Sequence, residues 1–475
     1  MTRKTATTKD GKTLEYIEVP DPPAGGMKKV FFSPDRSYVV AFFHDLSAAN
    51  DANRHARLDA VLGRFNPTND PETAEYWKKL FCWPSAIVNK PTLGVVAPTY
   101  SSNFFFATGP FKGKEKKGKW FSSQKLRGYL PEAERGTWIN YFQICILIAR
   151  AVRRLHQAGL AHSDLSCNNV LIDPSRGLSV VIDIDSLVVP GMFPPDVAGT
   201  PGYIAPEVLG TMHLPIQDPN RKHPTTRTDQ HALAVLIYEY LLFRHPLRGP
   251  KIHSAESAEK DESLCMGEKA IFVENPTDTS NRPPDLTTFT SDLGPQLAEL
   301  FNRAFVKGLH NPNDRPGAIE WERGLIKTWD LMHPCSNPAC PNKWFVLYDG
   351  TKLTCPFCKT KLTAPVPVIK FRKEARPGQW MPDGTLVVHG GGLGLFHWHV
   401  YDNVFPGEKA DRTRLGYFAF HQGKWILINE KMESLTSPGG SRVGPGAAVE
   451  LKTGAPIRLS QDPHGRIAEV EWYTP

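Results

Sequence analysis

Three short polar segments, in a fixed order between hydrophobic elements, constrain this chain more than anything else in it. The first is His162-Ser-Asp-Leu-Ser-Cys-Asn-Asn-Val-Leu-Ile172, which follows a helical pattern over Thr137–Gly159 and precedes a strand pattern. The second, Val180-Val-Ile-Asp-Ile-Asp185, puts Asp183 nineteen residues after Asp164. The third is Gly199-Thr-Pro-Gly-Tyr-Ile-Ala-Pro-Glu207. Polar residues between a helix and a strand serve as turns and caps, or as oxygen ligands and proton acceptors. One such segment alone is modest evidence for chemistry; three in series are strong evidence.

In this order and spacing the segments resemble a eukaryotic-type (Hanks-like) protein kinase. They match its catalytic loop, with an Asn five residues after the Asp, its Asp-Phe-Gly segment and its Ala-Pro-Glu segment. The resemblance implies an α+β chain with a bilobal kinase domain over residues 1–330, the N-lobe about 1–98 and the C-lobe about 101–330. It also implies ATP, Mg²⁺ and a protein substrate. Phosphoryl transfer asks for positioned charge rather than covalent help. Asp164 then fits the base that takes or orients the hydroxyl proton, and Asn169 and Asp183 fit the Mg²⁺ ligands. Asp229 resembles the family's Asp that braces the catalytic-loop backbone, and Arg315 the arginine that pairs with Glu207.

Four departures from the family pattern matter. Ser163 replaces the loop arginine that usually answers an activation-loop phosphate, and no Ser, Thr or Tyr stands between Ser186 and Thr200. Phosphorylation of that loop is therefore not expected, and Thr200 is expected to bond Asp164. Ser166 stands where Ser/Thr kinases carry a phosphate-contacting lysine. Asp185 replaces a glycine and either adds metal affinity or faces solvent. Phe43 ends the Val40-Ala-Phe-Phe strand where the ATP lysine is usual. Residues 25–31, Gly-Gly-Met-Lys-Lys-Val-Phe, resemble instead the loop of the with-no-lysine kinases, so Lys28 is the candidate ATP lysine. An ammonium acts as a point charge and reaches the same phosphates from a neighbouring strand. Gly25 and Gly26 are the candidate phosphate-approach glycines and Asp59 the candidate partner of Lys28. The alternative is that Lys28 is a surface residue and the domain a pseudokinase scaffold that binds nucleotide and recruits partners.

Hydrophobic periodicity predicts strands at Val39–Phe43 and ending near Tyr100, helices at 50–64, 71–80, Asp229–Phe243, 295–306 and 317–330, and a solvated basic loop at 109–119. Cys335, Cys340, Cys355 and Cys358 read as a zinc ribbon over 333–362, with a hairpin turning at Asp349-Gly350. Four thiolates leave no open metal position, so the Zn²⁺ is expected to be structural. Residues 366–475 alternate apolar and polar residues between Gly-rich turns and predict an all-β sandwich, with His397 and His399 as strand residues. Its closing segment resembles a forkhead-associated (FHA) domain but lacks that family's intact phosphothreonine-binding pattern.

The whole combination is similar to bacterial kinases associated with TerY-type triads, which implies a von Willebrand A-type protein and a PP2C-type phosphatase as partners. Hydrophobic residues make up 40% of the 475, enough for packed cores, and no apolar run is long enough for a membrane span. The N-terminus shows no export signal, so a cytoplasmic, reducing compartment is expected. A net charge of +7 without a basic stripe makes a nucleic-acid partner the weakest of the readings.

Overall fold

The computed structural model describes residues 2–23, 27–44, 51–192, 194 and 199–475. They divide into two compact units. The first holds the residues up to Gly136, Asn140–Leu286 and Glu299–Glu322; the second holds Thr137–Ile139, Thr287–Ala298 and Arg323–Pro475. The division falls inside a helix rather than at residue 330.

The first unit begins with a six-stranded antiparallel sheet. Its strands are β1 (Thr2–Thr8), β2 (Thr13–Glu18), β3 (Lys28–Phe32), β4 (Tyr38–Phe43), β5 (Ala86–Lys90) and β6 (Gly94–Pro98), in the order β2-β1-β5-β6-β4-β3. The edges curl toward each other: Tyr16 of β2 meets Phe31 of β3 and Phe42 of β4, both at 5.4 Å between ring centroids. These rings join Ala6, Val40, Val88 and Val96 in one core. Between β4 and β5 lie helix α1 (Ala52–Leu62), capped by Asp51, and helix α2 (Ala74–Leu80). The second starts at Ala74 rather than Pro71, because Asp70 engages Thr73 in a turn first.

Helices dominate the rest of this unit. Short α3 (Gln124–Gly128) and α4 (Glu132–Arg135) lead into the long α5 (Trp138–Gln157). The hairpin β7 (Val170–Asp173) and β8 (Leu178–Val181) follows, then short α6 (Pro206–Leu209). Helix α7 (Thr226–Leu242) is buried from Thr228 to Leu242, as a helix hydrophobic all round must be, and the Thr225/Thr228 capping box fixes its start. Helices α8 (Ala258–Met266), α9 (Pro295–Asn302, continued by a π turn to Lys307) and α10 (Ala318–Trp329) complete the helices before the C-terminal region. Glu322 of α10 is fully buried, and it stands there because Arg150 and Arg153 of α5 reach it at 2.6 and 2.7 Å.

The stretch expected as a solvated basic loop is exposed at its tip, around residues 109–114, but its return arm is ordered against the protein. Residues 104–116 form a hairpin, with Phe105 opposite Glu115 and the Lys116 amide bonded to the Phe104 carbonyl at 2.8 Å. Lys116 is 3% exposed and lies between Glu134 (2.7 Å) and Asp173 (3.2 Å). Two carboxylates overcome the burial cost that made a charged loop look solvated.

In the second unit, β9 (Met332–Pro334) pairs with β10 (Trp344–Val346). The expected hairpin across Asp349-Gly350 is thus replaced by one that encloses the first cysteine pair. Two four-stranded antiparallel sheets follow. One is β12 (Gln379–Val387), β11 (Val366–Arg376), β18 (Ile467–Tyr473) and β17 (Ile457–Arg458); the other is β13 (Gly394–Leu395), β14 (Gly416–His421), β15 (Lys424–Asn429) and β16 (Ala448–Glu450). Ile369, Phe371 and Leu386 from the first sheet and Leu395, Phe418 and Leu427 from the second share one core. His397 and His399 are not strand residues: they lie on the one-turn helix α11 (His397–Val400), where His399 accepts from the Phe396 amide and caps its start.

Candidate active site

The polar segments converge in the first unit. The catalytic-loop candidate runs between α5 and β7, and Asp183 follows β8, which pairs with β7 so that Val170 faces Val181. The ladder brings Asn169 and Asp183 to the same end of the hairpin; the Ile182 amide donates to the Asn169 carbonyl at 3.0 Å. Asp183 has a left-handed backbone (φ 63), as does Ser163 (φ 67). Such torsions cost energy in non-glycine residues and persist where surrounding contacts enforce them. Here His162 Nε2 donates to the Ile182 carbonyl at 2.9 Å, and Ser163 Oγ donates to the Ser186 carbonyl at 3.1 Å.

Asp164 is held at both oxygens. Thr200 Oγ donates to Oδ1 and Asn169 Nδ2 to Oδ2, each at 2.8 Å. Thr200 also bonds the Ser166 hydroxyl at 2.9 Å, and Ser166 is fully buried. That serine therefore ties the loop to the Gly-Thr-Pro segment and is closed off from any ligand. Below the loop, Asp229 of α7 accepts from the His162 amide at 2.6 Å, the bracing expected of it. Arg315 grips Glu207 through two bonds of 2.7 and 2.8 Å and also reaches the Gly308, Leu309 and Arg227 carbonyls.

Lys28 lies in this cluster. Its ammonium is 2.8 Å from Asp183 and 2.6 Å from Asp185. The register explains how: Lys28 of β3 is directly opposite Phe43 of β4, and opposed residues project to the same face. Burial works against the Lys28 charge, yet the two carboxylates outweigh it and push its pKa up. Burial likewise opposes ionisation of Asp183, but the Lys28 charge prevails and holds it below the usual carboxylate range. Asp185 does not face solvent; its side chain is 6% exposed and bonded to Lys28.

Asp59 is not the partner of Lys28. It pairs with Lys9 at 2.6 Å, on a side of α1 where both are half exposed. What α1 offers Phe43 instead is Arg54, whose guanidinium lies 4.9 Å from the ring centroid. The usual lysine–glutamate link between strand and helix is thus replaced by a ring and a guanidinium, a contact worth about 0.5–2 kcal/mol. Sequence reading missed this pair and the Asp185–Lys28 bond; the β3–β4 register places Lys28 beside Phe43 but brings in neither Arg54 of α1 nor Asp185 after β8. Gly25 and Gly26 lie outside the described residues.

In the second unit, the Sγ atoms of Cys335, Cys340, Cys355 and Cys358 lie within 4.8 Å of one another. The pair distances of 3.5 Å (Cys335–Cys358) and 3.9 Å (Cys340–Cys355) bracket the edge of about 3.8 Å that a tetrahedron with metal–sulfur bonds of about 2.3 Å requires. The donor set fits Zn²⁺.

Comparison with known proteins agrees with the site. Residues 121–320 match the family model described as "Protein kinase domain". The chain is 29% identical over 156 residues to serine/threonine-protein kinase PknD of Chlamydia felis, covering 28% of this chain and 15% of that one. It is 25% identical over 198 residues to serine/threonine-protein kinase pkn3 of Myxococcus xanthus, covering 38% and 30%. It is 38% identical over 96 residues to CBL-interacting serine/threonine-protein kinase 7 of Arabidopsis thaliana, covering 19% and 21%. The chain thus spans less than a third of the length of these relatives. Among the described residues no helix is long and apolar enough to cross a membrane. With the catalytic-loop, Asp183 and Glu207–Arg315 geometry in place, residues 121–320 of this chain carry a protein kinase domain.

Proposed function

We propose that the protein transfers the γ-phosphate of ATP to Ser or Thr hydroxyls of a protein substrate, itself included, in a bacterial cytoplasmic signalling system. The observation that carries this reading is the Asp164 carboxylate, bonded at both oxygens by Thr200 and Asn169. Each oxygen keeps a second lone-pair direction for an incoming hydroxyl. Asp164 orients that hydroxyl and accepts its proton as the oxygen attacks phosphorus. Lys28 turns from Asp183 to the phosphate oxygens as the nucleotide enters, and holds them by charge. Asn169 and Asp183 would hold Mg²⁺, which supplies the positive charge that gathers and neutralises the phosphates. Asp185 stays with Lys28 and keeps its ammonium in the cleft.

The four thiols would hold a structural Zn²⁺, and the two-sheet domain is proposed to be FHA-like and to dock partners. A von Willebrand A-type protein and a PP2C-type phosphatase are the proposed partners. A second reading, nucleotide binding without transfer, is favoured by one observation: buried Ser166 brings no cation to the phosphates.

Radiolabelled phosphate transfer from Mg-ATP, to the chain itself and to a generic basic protein, separates the two. Loss of transfer in Asp164→Ala, Asp183→Ala and Lys28→Ala supports the kinase. A wild type that binds ATP and transfers to nothing moves the scaffold reading ahead.

A further inference from the structure

The hairpin of residues 104–116 does more than cover the C-lobe. Its return arm runs beside β7 as an extra strand: the Ile172 amide donates to the Lys116 carbonyl at 3.0 Å, and Lys117 is bridged antiparallel to Leu171. One step on, the Lys119 amide donates to the Cys167 carbonyl at 3.2 Å, within the catalytic loop itself. Residues 116–119 therefore lie along 167–172, the stretch that carries Asn169.

Alternation along this arm decides which way each side chain points. Lys116 goes into the C-lobe, to Glu134 and Asp173. Gly118 faces the same interior, since a Cβ there would fall 1.8 Å from the Tyr240 hydroxyl. Lys117, between them, faces the opposite way, with Leu171. Leu171 packs with Phe104, Val180 and Ile182, against which Cys82 and Tyr100 also pack, so this face is the one turned toward the segments that lead into β5 and out of β6. Lys117 is about a third exposed there, and its nearest carboxylate, Glu115, is a loose 3.6 Å away.

We propose that Lys117 is a phosphate-binding residue of the nucleotide site, delivered by this strap to supply the cation that buried Ser166 does not. The inference rests on the kinase reading above and deepens it: two lysines from opposite walls, Lys28 from the sheet and Lys117 from the floor, take the polyphosphate between them. An ammonium needs only reach, not a fixed fork, so a lysine from another segment can fill the role.

The test is equilibrium binding to the full chain, with Mg-ATP and adenosine as probes. Lys117→Ala should weaken Mg-ATP binding about tenfold, the scale of one lost charge-assisted contact, and leave adenosine unchanged. Lys117→Gln should behave like Lys117→Ala, and Lys117→Arg should stay near wild type. Lys112→Ala, at the tip of the same hairpin, is the control and should bind normally. Unchanged Mg-ATP affinity in Lys117→Ala overturns the proposal and leaves the kinase reading standing. So does an equal loss for adenosine and Mg-ATP, which would mean that the strap had merely been distorted. A wild type that binds no Mg-ATP overturns the kinase reading itself, and this inference with it.

Discussion

The two halves of the first unit carry their chemistry in different ways. In the helical half, the three oxygen-bearing groups are where the family pattern puts them in sequence, even though Ser163, Ser166 and Asp185 beside them depart from it: Asp164, Asn169 and Asp183 are set by one loop and one hairpin, and Asp229 and Glu207–Arg315 brace them from beneath. In the sheet half, on the role proposed for Lys28, the charge has moved. Lys28 comes from β3, Phe43 occupies the usual place on β4, and Arg54 of α1 packs on that ring. The family model's match begins at residue 121, beyond the sheet, in keeping with this difference. A loop that must hold three oxygen-bearing groups at fixed torsions tolerates little change. A cleft wall that must deliver one ammonium can do so from either of two adjacent strands.

The sharpest way to break this comparison is to remove the fixed half. Asp164→Ala should cut phosphate transfer by about 10²–10⁴ while nucleotide binding stays near wild type. Near-normal transfer in that variant would end the argument for the loop. Next in size is Arg315→Ala, which leaves Glu207 unpaired and should destabilise the domain by about 3–5 kcal/mol in denaturant unfolding. A shift below about 1 kcal/mol would show that the pair is dispensable.

The mobile half is probed by moving the charge back. Lys28→Met should lose most transfer, and adding Phe43→Lys should not restore it, because Arg54 faces the new ammonium. Adding Arg54→Glu as well should recover about tenfold or more over Lys28→Met, if the two register positions serve one cradle. Failure of the triple variant, with its fold intact by circular dichroism, would mean that Lys28 acts from a place that position 43 does not reach.

The smallest effect concerns α7, where Glu239 is buried and its pKa is pushed up to about 8 by burial, against the bond it accepts from Tyr203. Its folded pKa lies above the unfolded one, so its contribution is fully present below about pH 4.5 and is lost as pH rises through about 8. Glu239→Gln should therefore raise the melting temperature at pH 9 and change it little at pH 5. An equal effect at both pH values would put the cost elsewhere.

How much of this was legible follows from the same contrast. The helical half was readable because its roles lie on local spacings: Asn169 follows Asp164 by five residues, and Thr200 belongs to a motif of its own. The Glu207–Arg315 pair, though distant in the chain, was readable because each partner sits in a recognisable segment. Lys28 could be named but its carboxylates could not. Asp59 was the wrong choice because the helix turns it toward Lys9, and Asp185 was left between metal and solvent because spacing alone does not show burial. The solvated loop expected over 109–119 holds at the tip and fails in the return arm, because Lys116 looks solvated until its two buried carboxylates, Glu134 and Asp173, are in view. The helical turn at His397–Val400 was misread for a similar reason: a one-turn helix leaves no periodicity to detect.

The register of β3 and β4 has a consequence for how such chains diverge. On the role proposed for Lys28, positions 28 and 43 are two addresses for one charge, separated by the width of a single ladder step. On that reading the ammonium can pass from one strand to the other without redrawing the backbone, provided that the helix opposite offers position 43 a carboxylate where this chain has Arg54. A missing strand lysine is then no measure of catalytic decay. The measure is what the facing residue carries.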